Sequence, residues 1–180
     1  MLKLISKFIF WISGWKTAGE IPAIKKYVAI YAPHTSGWDL IFGLCGKYIF
    51  GIQLNLLAKK EIFVFPIGPI LRALGGVPVD RSASHNLVEQ AVEMFNQREN
   101  FVLALAPEGT RAYAPKWKTG FYNIAWQAKV PILLGYIDYE KKIVGLGPLF
   151  YTTGDMEKDI EKIKDFYRPI KGKHPEKGVR

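Results

Sequence analysis

The residue pattern predicts an α/β fold: one domain, built on a mixed and mostly parallel central sheet covered by helices, with an amphipathic helix at its N-terminus. Three observations carry that expectation. Near-continuous apolar runs such as Phe101–Ala106 have the character of strands buried on both faces, which is the habit of parallel sheets. Segments with apolar residues at helical spacing alternate with those runs along the chain. Finally, 180 residues with 49% hydrophobic content suffice for one large core and fall short of two, so residues 1–180 read as a single domain.

The N-terminal helix is expected over residues 1–15, where Phe8, Trp11 and Trp15 stand among large apolar residues beside Lys3 and Lys7, and Gly14 interrupts the run. It is too short to span a bilayer and has no small-residue cleavage site after its apolar stretch. Such a segment suits a helix lying in the headgroup region, with Phe8, Trp11 and Trp15 at the interface. Plain packing on the core is the competing expectation.

Tyr27–Ala32 is rich in β-formers and ends at Pro33, so a buried strand leads into a polar loop. Ser36 then reads as the N-cap of a helix continuing through Leu40–Phe50, softened by Gly43 and Gly46. Leu54–Ala58 is the next strand, and the Pro- and Gly-punctuated stretch Phe63–Leu74 holds a short helix. Gly75 and Gly76 turn the chain into Val77–Arg81, a strand that Pro78 pushes towards a sheet edge. Ser84 caps an amphipathic helix with Leu87, Val88, Ala91, Met94 and Phe95 on one face. After Phe101–Ala106, a basic loop with Lys116 and Lys118 leads to a helix over Phe121–Ala128 and a strand over Val130–Ile137. Lys142–Leu146 pairs with that strand as a hairpin, and Met156, Ile160, Ile163 and Phe166 mark the last helix. Residues 169–180 form a basic tail, expected to be mobile.

Charge narrows the partners. Twenty-five Lys and Arg against 16 Asp and Glu, a net +9, point to an anionic partner. The basic residues are scattered rather than striped and no nucleic-acid motif accompanies them, so no nucleic acid is expected. Cys45 is the single cysteine, so the chain forms no internal disulfide, and no His/Cys spacing offers a metal site. A cytoplasmic setting fits this usage.

Loops at strand ends are where sheets of this class carry their functional groups. The first is His34-Thr-Ser-Gly-Trp-Asp39. Within one regular helix, residues five apart point roughly 140° from each other and do not meet. With His34 in the loop and Asp39 in the first helical turn, the carboxylate can fold back on Nδ1 and leave Nε2 to take a proton. Ser36 and Asp39 also have capping-box spacing, so the acid has a purely structural alternative. The other two loops carry Arg81 and Glu108-Gly109-Thr110-Arg111, in which guanidinium groups suit a phosphate and Gly109 allows close backbone approach. Structural ion pairs, Arg81 with Glu108 or Asp80 with Arg111, are the bland account of the same residues.

Taken in order, these loops resemble the glycerolipid acyltransferases, the family that includes lysophosphatidate acyltransferases. Its blocks are matched by His34 through Asp39, by Gly76-Val-Pro-Val-Asp-Arg81, by Pro107-Glu-Gly-Thr-Arg111, and by the apolar run Val130-Pro131-Ile132. The resemblance implies transfer of a fatty acyl group from acyl-CoA or acyl carrier protein, as co-substrate, to the hydroxyl of a lysophospholipid such as 1-acyl-glycerol-3-phosphate. By the same transfer, His34 is the general base oriented by Asp39. Arg81, Glu108, Gly109, Thr110 and Arg111 hold the acceptor and its phosphate, and Val130, Pro131 and Ile132 are acyl-pocket candidates. Neither metal nor cofactor is implied. The expected location is the cytoplasmic side of a membrane, peripheral or monotopic, on an anionic surface. The alternative is a basic peripheral membrane-binding protein without catalysis.

Overall fold

Strand order follows burial: the most deeply apolar runs lie in the middle of the sheet, with the short polar run Lys16–Ala18 at one edge and the Pro-bearing run Gly76–Val79 at the other. The computed structural model describes residues 1–80 and 84–180, with residues 84–86 described by their backbone alone. The strands are β1 (Lys16–Ala18), β2 (Lys26–Ala32), β3 (Leu54–Lys59), β4 (Gly76–Val79), β5 (Phe101–Leu105), β6 (Ile132–Asp138) and β7 (Ile143–Phe150). Among the described residues they form one seven-stranded sheet in the order β1-β7-β6-β2-β5-β3-β4. Strands β6, β2, β5, β3 and β4 are mutually parallel, and β7 pairs antiparallel with β6 as the hairpin that was expected, extended to Phe150. Pro78 falls in β4, at the sheet edge, where its missing N–H costs no ladder bond.

The helices are α1 (Leu2–Ser13), α2 (Trp38–Phe50), α3 (Ile67–Ala73), α4 (Ser84–Gln97), α5 (Gly120–Ala128) and α6 (Met156–Tyr167). Alternation along the strands assigns them to two faces. On one face Val28, Ile30 and Leu103 meet Ala91 and Phe95 of α4, Phe121 and Ile124 of α5, and Ile163 and Tyr167 of α6. On the other, Tyr27, Ala29, Val102, Ala104 and Leu133 line the sheet. Beside them Phe10, Trp15, Cys45, Ile137 and Val144 join α1 and α2 to β6 and β7. The cap expected at Ser84 and the position of Arg81 lie outside the described residues.

Two expectations are corrected here. The N-terminal helix, expected over residues 1–15, stops at Ser13: Gly14 ends α1 in the left-handed conformation, and the chain continues through Trp15 into the edge strand β1. Three residues are too few for periodicity to reveal a strand. Nor is the chain beyond Pro169 a loose tail. Ile170 enters the core, the Tyr139 amide donates to the Lys171 carbonyl at 2.8 Å, and the His174 amide donates to Thr35 Oγ1 at 3.2 Å. The segment is a strap laid across the loop that follows β2. Gly172 makes that contact possible, since a Cβ there would stand 2.6 Å from Thr35 Oγ1 and 3.2 Å from Pro33. We expect Gly172→Val to destabilise the protein by about 1–3 kcal/mol through overpacking, measured by denaturant unfolding; a tail detached from the body would leave the transition where it is.

Candidate active site

Because β2, β5, β6, β3 and β4 run parallel, their C-terminal ends share one edge of the sheet, and the loops leaving them converge there. His34 follows β2, Glu108–Arg111 follow β5, Tyr139 follows β6, and Lys60 and Asp80 follow β3 and β4.

The loop after β2 places His34 outside the helix and Asp39 in the first turn of α2, which begins at Trp38. His34 Nδ1 lies 3.0 Å from Asp39 Oδ2. The same oxygen accepts the backbone N–H groups of Thr35 and Ser36, each at 2.9 Å, and Oδ1 accepts the Tyr139 hydroxyl at 2.6 Å. The dyad thus forms on the same carboxylate that bonds the loop amides, whereas the cap expected at Ser36 falls one residue later: Gly37 is the N-cap of α2, and Ser36 Oγ accepts the Trp38 N–H at 3.3 Å. Asp39 is only 6% exposed. Its burial works against ionisation, yet the bonds from His34, Tyr139 and the two amides outweigh it and hold the carboxyl below its ordinary value. The magnitudes agree: desolvating one carboxylate costs several kcal/mol, and four bonds to a charged acceptor contribute roughly 1.5–3 kcal/mol each.

His34 is 30% exposed, and among the described residues nothing bonds its Nε2. An imidazole with Nδ1 bound to a carboxylate and Nε2 open can accept a proton there. Its backbone is fixed from the neighbouring strand, since the His34 N–H donates to Glu108 Oε1 at 2.9 Å. Glu108 is 6% exposed, and burial, only partly opposed by the His34 amide, pushes its carboxyl above the usual value. Among the described residues no donor reaches its Oε2. Glu108 is thus a strut under the His34 loop and is not among the residues lining the cavity described next. Gly109, with φ of 65°, turns the chain outward after it, and Gly109, Thr110 and Arg111 are exposed.

An apolar cavity of about 520 Å³ opens beside the dyad. Its floor is the sheet face carrying Tyr31, Leu54, Leu56, Ala104 and Ile137, and its roof is one stripe of α2, Leu40, Gly43, Leu44 and Lys47. His34, Asp39 and Arg111 stand at its polar end. The Arg111 guanidinium also reaches Gly37, where a Cβ would lie 3.1 Å from its Nη1. Lys47 lies along the same stripe, two helical turns beyond Leu40; its ammonium donates to the Leu74 carbonyl at 2.7 Å, and burial lowers its pKa. Tyr31 takes part in the floor because its register partner is Gly135, where a Cβ would collide with the ring at 2.6 Å.

The acyl-pocket candidates do not line this cavity. Pro131 and Ile132 are buried and Val130 half-buried at the start of β6, with Val130 and Ile132 packed into the core on the opposite face of the sheet. Among the described residues Asp80 pairs with Lys60 at 2.6 Å, and Glu108 Oε1 accepts the His34 amide. Arg81 lies outside the described residues. Of the three aromatic residues assigned to an interface, Phe8 and Trp11 are exposed, Trp11 by 77%, whereas Trp15 is 8% exposed and stacks on Phe42 at 4.0 Å. Sequence reasoning missed Tyr139, one hundred residues from its partner Asp39. Its place directly after the strand that ends at Asp138 was the available signal, shared with every other strand-end residue.

Fold and geometry together define an α/β protein with a histidine–carboxylate dyad at the mouth of an apolar cavity. Residues 17–134 match the family described as Acyltransferase, well over half of the chain, and the protein belongs to that family. A comparison with curated proteins gives no match. Among solved structures, the fold is similar to the crystal structure of the 1-acyl-sn-glycerophosphate (LPA) acyltransferase PlsC from Thermotoga maritima, with a TM-score of 0.64 and 16% identity over 92% of this chain and 74% of that one. At that identity the likeness is one of fold.

Proposed function

We propose that this acyltransferase moves a fatty acyl group from a thioester, acyl-CoA or acyl carrier protein, to the hydroxyl of a lysophospholipid of the 1-acyl-glycerol-3-phosphate type. The observation that supports this most is the 3.0 Å contact of His34 Nδ1 with Asp39 Oδ2, at the rim of a cavity whose walls are apolar and whose mouth carries Arg111. With Asp39 accepting from Nδ1–H, His34 Nε2 takes the proton of the acceptor hydroxyl as its oxygen attacks the thioester carbonyl. The tetrahedral intermediate collapses, the C–S bond breaks, and the leaving thiolate receives that proton from Nε2. Ester and thiol are the products, and Asp39 stabilises the imidazolium in between. Arg111, with Arg81, Gly109 and Thr110 of the neighbouring loops, is assigned to the acceptor's phosphate, for which a guanidinium is suited by its paired donors. The acyl chain is assigned to the space between α2 and the sheet.

The same reading places the protein on an anionic membrane surface. Among the described residues no helix is long and apolar enough to cross a membrane. Yet α1 exposes Leu4, Phe8, Trp11 and Ile12 beside Lys3 and Lys7, and the start of α2, at the cavity mouth, exposes Trp38, Leu40 and Ile41. Apolar side chains with interleaved cations suit the headgroup boundary.

Three outcomes check these assignments. His34→Ala is expected to lower thiol release from acyl-CoA or acyl carrier protein, with lysophosphatidate as acceptor, by about a hundred- to ten-thousand-fold; full activity would dismiss His34 as the base. For the acyl site, Gly43→Leu projects into the cavity without collision, since a Cβ there has Ile137 Cδ1 at 3.9 Å as its neighbour. It should shift donor preference towards shorter chains, and an unaltered chain-length profile would place the acyl group elsewhere. Phe8→Glu with Trp11→Glu should reduce sedimentation with anionic vesicles while leaving the melting temperature in place; undiminished binding would remove α1 from the interface.

A further inference from the structure

Asp39 has two carboxylate oxygens, and they are used unequally. Oδ2 serves His34 and the amides of Thr35 and Ser36, while Oδ1 serves Tyr139. The phenol is locked as a donor, because burial and then the facing Asp39 carboxylate push its pKa far above the ordinary value of 10.0. Its ring is held edge-on against Trp15 at 5.0 Å and Phe42 at 5.9 Å, both at 89°. The backbone is held too, since the Tyr139 amide donates to the Lys171 carbonyl of the C-terminal strap. Trp15 just past α1, Phe42 of α2 and the C-terminal strap thus all hold this one residue, the first two by its ring and the last by its backbone.

A residue packed this tightly against a catalytic carboxylate has two physical effects. It fixes the carboxylate's rotation, so that Oδ2 rather than Oδ1 faces the imidazole. It also draws negative charge towards Oδ1, which limits how strongly Asp39 favours a protonated His34. We propose that Tyr139 is a positioning residue of the reaction: through Asp39 it orients the His34 imidazole and tempers its basicity. The inference rests on the reading of His34 as the base. The charged groups around the dyad are Glu108 beneath the His34 amide, Arg111 at the cavity rim, and Lys173 of the strap, whose Nζ lies 4.9 Å from the centre of the Trp38 ring. Tyr139→Phe alters none of them and keeps the aromatic packing.

The sign of the effect follows. Without the phenol hydrogen bond, Asp39 presents a fuller charge to Nδ1, the imidazolium is favoured, and His34 titrates at higher pH. In Tyr139→Phe the acid limb of kcat/KM against pH should therefore move upward by a few tenths of a unit to about one unit. The plateau should fall several-fold through loss of orientation, with KM for the acyl donor retained. The deciding measurement does not need activity: titration of the His34 ring protons by NMR in the full-length protein, wild type against Tyr139→Phe. An upward shift supports the proposal, and an unmoved titration overturns it. A plateau that falls with no movement of either the limb or the titration assigns Tyr139 to packing alone and equally overturns it. In an Asp39→Asn background, adding Tyr139→Phe should leave the His34 titration in place, because the tyrosine acts through the carboxylate; a shift there would defeat the proposed route. Should His34→Ala retain turnover, the base assignment fails while the ring titration still decides whether Tyr139 governs the dyad.

Discussion

The rest of this structure depends on one buried carboxylate. Asp39 is ionised where little water reaches it, and it can be so only because four donors, three from its own loop and one from a hundred residues away, converge on it. Two of these are backbone amides of its own loop, so the carboxylate shapes the turn that carries His34. The third is His34 itself, and the fourth, Tyr139, arrives from the turn of the β6–β7 hairpin. Removing any donor leaves a charged acceptor undersatisfied in a poorly solvated place, which is the condition folding tolerates least. The loop's conformation and its chemistry are thus a single constraint.

Parallel pairing turns that local constraint into a site. Strands β2 and β5 are adjacent and in register from Lys26 with Phe101 to Ile30 with Leu105, so the loops leaving them stand side by side. Glu108 crosses that short gap to take the His34 amide, tying the second loop to the first. The two faces of β2 then divide the labour. Val28, Ile30 and Ala32 are sealed into the core under α4, α5 and α6, whereas Tyr31 on the other face borders the cavity under α2. In α2 the missing side chain of Gly43 leaves room on the stripe that lines the apolar cavity.

Where expectation and structure part, the cause is a property that one-dimensional pattern does not carry. The resemblance makes Val130, Pro131 and Ile132 acyl-pocket candidates, but strand periodicity identifies two faces without saying which one borders a cavity. Trp15 and Trp11 look alike in sequence, but Gly14 turns the chain between them, sending Trp15 inward onto Phe42 and leaving Trp11 outside. The basic composition of residues 169–180 reads as a solvated tail, yet Ile170 and the small Gly172 let its backbone bond to two distant loops while its lysines stay in water.

By itself the sequence determined the helices, the strands other than β1, the α/β class, and that His34 and Asp39 could meet across their loop. All of these arise from short-range rules: apolar periodicity, glycine and proline punctuation, and the reach of a first-turn acid back to its own loop. Tertiary structure alone decided that Glu108 lies under His34 as a strut, that Tyr139 completes the bonding of Asp39, that the cavity lies beneath α2, and that the C-terminal strap holds the loop. The bonds among them join residues 74, 100 and 139 positions apart. Their meeting is set by which strands pair and in what register, a quantity the whole core minimises together and no local stretch of residues encodes.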